Sequence, residues 1–61
     1  MKSREKVFLV DNGETKTKHE WTPSQVAKQS DWIKSAAHSA EALPGQWVAF
    51  GLFCIKQTWT D

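Results

Sequence analysis

Cys54 is the only cysteine in the chain, and this decides how so short a sequence must hold together. A lone thiol cannot close an intramolecular disulfide, whereas extracellular domains of this size usually carry two or more bridges. The 61 residues sit near the lower limit for an unstapled core and are read as one domain, 1–61. Packing then rests on the four Trp and three Phe, since aromatic rings bury the most area per residue. Most of these rings are expected in the core, leaving one or two for a binding surface.

The same cysteine usage points to a reducing, cytoplasmic setting. No run nears the ~18 apolar residues of a membrane span. The longest apolar stretch, 47–55, is interrupted by Gly51 and lies far from the amino end. Lys2, Arg4 and Lys6 resemble a signal n-region, but only Val7–Val10 follow before Asp11, too few for an h-region. The expectation is an uncleaved cytosolic chain whose residues 1–5 fray. The net charge is +1, with the basic excess in the first half. Electrostatic nucleic-acid binders usually carry a far stronger basic bias.

Local signals divide the chain. Val7–Val10 is a short apolar run of strand formers, read as a strand covered on both faces. Asn12-Gly13 reads as a hairpin turn with positive φ at both residues. Thr15, Thr17, His19 and Trp21 alternate with Lys16, Lys18 and Glu20, the period of a half-exposed strand, and lysines suit a guarded edge. Thr22-Pro23-Ser24-Gln25 forms a capping box with proline at the first helical position, and Trp21 and Val26 stand at the staple positions. Val26, Ser30, Ile33, Ala37 and Ala40 recur at helical spacing until Leu43-Pro44-Gly45 ends the helix. The reading is one helix over 22–43, although Ser30-Asp31 could act as a second cap. Residues 46–59 read as one long strand, apolar on both faces to Ile55, with Gly51 as a bulge or a point of close helix approach.

These elements predict a small α+β domain of order β-β-α-β. Its three-stranded antiparallel sheet has order 2-1-3, with one helix on one face. A single helix leaves the other sheet face open. Val48, Phe50 and Leu52 are expected there as an apolar interaction patch, with Lys16 and Lys18 as basic neighbours.

Chemistry-bearing motifs are sparse. His19, His38 and Cys54 lack the short paired spacing of a metal site, and Cys54 reads as an inert buried thiol. The sequence carries no carboxylate pair, phosphate-binding glycine loop or nucleophile–base arrangement, so no catalytic residue, metal or cofactor is expected. The reading is a non-enzymatic protein-binding module that acts through an apolar sheet face or edge strand. Its partner would be a host macromolecule or a second copy in a homodimer. The alternative is a nucleic-acid binder using the basic hairpin, or a helix-turn-helix within 22–43. In size, tryptophan content and lack of catalytic apparatus, the chain resembles the accessory proteins of bacteriophages and other mobile elements, many of which modulate a host protein. That likeness is one of type and rests on no motif.

Overall fold

The computed structural model describes residues 4–60. Strand β1 (Glu5–Asn12) and strand β2 (Thr17–Trp21) form a hairpin. Helices α1 (Pro23–Ala27) and α2 (Asp31–Ala42) follow, then a second hairpin of β3 (Val48–Phe50) and β4 (Phe53–Thr60). All pairings are antiparallel and the sheet order is β2-β1-β4-β3. The α+β class therefore stands, but the three-stranded sheet and single helix are corrected to four strands and two helices.

The helix signal at Thr22 reads true. Thr22 is extended at φ −76°, and its Oγ1 accepts from the Gln25 amide at 3.3 Å. The Thr22 amide in turn donates to Gln25 Oε1 at 2.9 Å. The single helix fails at Ser30, which is extended (φ −64°, ψ 162°) and accepts from the Ile33 amide at 3.5 Å. Serine competes well for such an end because its hydroxyl satisfies an amide that the helix start leaves unpaired. Ser30 is thus a cap for α2 and not part of an apolar stripe. Beyond Leu43, Gly45 takes φ +80° and its amide donates to the Gln57 carbonyl at 2.8 Å. That bond ties the end of α2 to β4.

The first hairpin also differs from expectation. Neither Asn12 nor Gly13 has positive φ; Lys16 does, at 57°. Asn12↔Thr17 is the last strand pair, so four residues form the loop. Asn12 Oδ1 accepts from the amides of Glu14 (3.0 Å) and Thr15 (3.1 Å). A side-chain-closed turn of this kind needs no left-handed residue until the chain re-enters the strand. Of the segment expected to fray, Glu5 pairs with Thr60 and the Arg4 guanidinium lies over the Trp59 ring. Residues 1–3 fall outside the described residues.

The core lies between the helices and one sheet face. Phe8 and Val10 of β1 and Phe53 and Ile55 of β4 pack against Val26, Ala36, Ala37 and Ala40. Trp21, Ile33, Val48 and Phe50 extend this core at its margin. Aromatic rings are therefore not its main content. Among the tryptophans, Trp32, Trp47 and Trp59 stay about half exposed. Alanines on the buried side of α2 bring the helix close to the sheet, and bulky rings are accommodated around it. Gln57 is buried too, and its Nε2 donates to the Thr58 carbonyl at 3.1 Å.

Thr22→Ala removes the acceptor for the Gln25 amide while leaving the sheet untouched. Urea denaturation should show a loss of about 1 kcal/mol, the usual worth of an N-cap.

Candidate functional site

The second hairpin decides which side chains are available. Its strands join through a hydrogen-bonded turn at Gly51-Leu52, with Gly51 at φ +68°. Among the described residues Leu52 has no positive φ, which matches a type II′ turn with glycine first. Phe50 and Phe53 face each other across this turn. A two-residue turn therefore joins the even positions of β3 to the odd positions of β4 on one face. Val48 pairs with Ile55, so both Val48 and Phe50 join the helix side of the sheet. This corrects the expectation that Val48 and Phe50 lie on the open face. Leu52 is at the turn tip, not in a strand.

Trp32, near the start of α2, covers this turn. Its ring centroid lies 5.7 Å from that of Phe50 and 5.6 Å from that of Phe53, the latter edge to face. A methyl group on Gly51 would come within 2.8 Å of Trp32 Cζ2. Gly51 is thus a turn residue approached by an indole, where the sequence suggested a bulge or a nearby helix backbone.

The open face is charge-balanced. The strand register puts Lys18, Asp11, Cys54 and Ala49 in one row across the sheet. The next row holds Glu20, Leu9 and Lys56, and Lys56 Nζ sits 5.1 Å from the Trp47 ring centroid. Cys54 is half-buried in this face and not sealed in an apolar core. The expected broad apolar patch is absent because the side chains assigned to it turn toward the helices.

Exposed apolar groups gather instead around β3. Leu43 (49% exposed), Trp47 (50%) and Leu52 (64%) flank it along the chain, and Trp32 (53%) lies over its turn. Residues 42–55 contain no charged side chain. The other sheet edge differs: β2 presents Lys18 and Glu20, with Lys16 in its hairpin loop, all exposed. Edge charges of that kind deter pairing with a foreign strand. Only β2 is guarded.

Hydrogen-bonding geometry adds to this contrast. The turn bond makes Phe50↔Phe53 a hydrogen-bonded pair, so Ala49↔Cys54 is the non-bonded pair that must alternate with it. The N–H and C=O of Ala49 consequently point away from β4, toward the free edge. Its side chain is exposed on the open face.

The structure separates the residues that sequence reading grouped together. β2 and β3 are opposite edges of the sheet, about 14 Å apart at three inter-strand spacings of ~4.8 Å. Lys16 and Lys18 therefore do not flank Phe50. Trp32 escaped the sequence reading, and Trp47 and Ala49 entered it only as part of the long strand 46–59 in its edge-strand alternative, not as named contact residues. A Gly-Leu pair between apolar runs was the available signal for the hairpin.

Two further features complete the surface. A shallow groove of about 240 Å³ runs between the helices, with Phe8, Val26, Ala37, Lys34, His38 and Glu41 among its lining residues. Its charges are engaged locally: Glu41 pairs with Lys6, and Lys34 lies 3.4 Å from Asp31. Among the described residues, no three His, Cys, Asp or Glu side chains converge as metal ligands. No helix among them is long and apolar enough to cross a membrane. Comparison with protein-family models, curated proteins and solved structures finds no match.

Gly51→Ala places an L-residue at φ +68° and a methyl against Trp32. The expected loss is about 1–2 kcal/mol in denaturant unfolding. Trp32 has an exposed ring that can swing aside, so tryptophan fluorescence should shift even where the fold survives.

Proposed function

We propose that this chain is a small non-enzymatic protein-binding module whose contact surface is the β3 edge with Trp47, Leu52 and Trp32 around it. The observation that carries this reading is the asymmetry of the two sheet edges. One is lined with Lys16, Lys18 and Glu20, while the other lies in a charge-free segment, 42–55, with half-exposed rings beside an outward-facing peptide group. An added strand would satisfy that peptide group, and the flanking side chains would be buried against it. A role as accessory or modulator of a larger assembly suits a domain with so little concave surface. The free thiol of Cys54 fits a reducing compartment such as the cytoplasm.

A nucleic-acid reading has one observation in its favour: the break at Ser30 creates the helix–turn–helix order that reading requires. Its chemistry is poor. α2 buries Ala36, Ala37 and Ala40 against the sheet, and Lys34 is paired with Asp31. α1 has five residues, and Glu20 shares β2 with Lys18.

Affinity capture of partners by purified protein separates the two readings. Capture should survive Lys16→Ala with Lys18→Ala and be lost in Trp47→Ala, with little dependence on salt because apolar burial dominates. Binding to single- or double-stranded nucleic acid should be no tighter than ~10 µM at physiological salt. A sub-micromolar mobility shift, abolished by the double lysine variant and falling steeply with salt, would overturn the protein-binding reading.

A further inference from the structure

We infer that the strand completing the β3 edge belongs to a second copy of this chain, paired antiparallel with β3 across a two-fold axis at Ala49. This rests on the β3 edge being the contact surface, and goes beyond it in naming the occupant and the register.

The sequence of the edge is complementary to itself in that register. Ala49 meets Ala49 of the copy, and their outward N–H and C=O groups exchange two hydrogen bonds. The two methyl groups are exposed on the open face and small enough to sit side by side. One step out, Val48 meets Phe50 of the copy on the helix side, a favourable cross-strand pairing of β-branched and aromatic residues. Both are partly buried at the core margin, so pairing extends the apolar core across the axis. A further step out, Trp47 comes opposite Gly51 of the copy. A half-exposed indole then meets the residue with no side chain to obstruct it. Shifting the register by one residue would set open-face Ala49 and Trp47 opposite helix-side Val48 and Phe50, and residues of opposite faces cannot pair across such an axis. The Ala49-centred register keeps the two helix sides on one face of the joined sheet.

Charge supports the same occupant. An edge with no charge between residues 42 and 55 meets its own copy without repulsion. Lys56 beside it is turned onto the Trp47 ring of its own chain. Helix packing leaves room, because α2 lies chiefly over β4. The outcome is a closed assembly. Joining two copies through β3 gives an eight-stranded sheet whose outer edges are both β2, and the exposed Lys18 there opposes further growth.

Sedimentation velocity on the full chain across the micromolar range, paired with disulfide trapping, tests this. Wild type should pass from monomer to dimer. Ala49→Lys places two like charges at the axis while its exposed side chain leaves the fold intact, and it should weaken association about a hundredfold or more. Lys18→Ala should leave the dimer unchanged. Ala49→Cys in a Cys54→Ser background should form an inter-chain disulfide on mild oxidation, since a bonded antiparallel pair sets Cα atoms ~5.5 Å apart. The serine prevents an intramolecular bridge between the paired positions 49 and 54. A wild-type chain that stays monomeric at its highest soluble concentration would overturn the second copy as occupant. The β3 reading would survive that result if Ala49→Lys abolished capture of another protein. A dimer indifferent to Ala49→Lys would overturn the pairing through β3, and capture of another protein equally indifferent to it would overturn the β3 reading as well.

Discussion

The close seating of α2 on the sheet governs the rest of this molecule. Ala36, Ala37 and Ala40 are essentially fully buried and meet Phe8, Val10, Phe53 and Ile55 across the layer. Small side chains at these positions let the helix approach its sheet closely, which is how a short chain reaches interior packing density. The consequence is a thin core. There is no space for four indoles inside it, so Trp32, Trp47 and Trp59 are distributed around its rim. Two of these rings are held by cations, Trp47 by Lys56 and Trp59 by Arg4. Such contacts are worth about 0.5–1 kcal/mol at exposed sites. They order the rings without hiding them.

The thin core also explains the two hairpins. A sheet with both helices on one face needs enough strands to lie beneath them. The turn at Gly51-Leu52 supplies the fourth by folding the last segment back on itself. That turn moves Val48 and Phe50 to the helix side and leaves Ala49 on the open face, where its small side chain exposes little apolar area. Trp32 then closes the turn from above. One glycine with positive φ thereby decides which residues are core and which face solvent.

The proposed function rests on the difference between the two edges. A sheet edge is an unsatisfied hydrogen-bonding surface, and proteins that avoid association guard it with charge. Here β2 is guarded and β3 is not, within one molecule and one sheet. A binding surface argued from such a contrast depends on main-chain geometry as much as on side-chain chemistry. A surface of that kind would carry no ligand-type motif in the sequence.

Local chemistry made part of this structure legible in the sequence. The Thr22–Gln25 capping box and the stop at Leu43-Pro44-Gly45 each depend on residues within one turn, so their outcome could be read directly. β2 was legible as a strand, but the half-exposed alternation read into it is not found: Thr17 and His19 are exposed like Lys18 and Glu20, and Trp21 alone of the strand is partly buried. The lone cysteine and the charged β2 edge were equally plain. Ser30 and Gly51 were ambiguous because serine serves both a helix interior and a cap, and glycine both a bulge and a turn. Packing resolved them. Once Phe50 faced Phe53 under Trp32, the side-chain parity of the last segment reversed between its two halves. Parity along a strand is a local property, but the face that meets the helices is set by register with distant strands. For that reason the exposed edge, with Ala49 at its centre, was decided only by the tertiary structure.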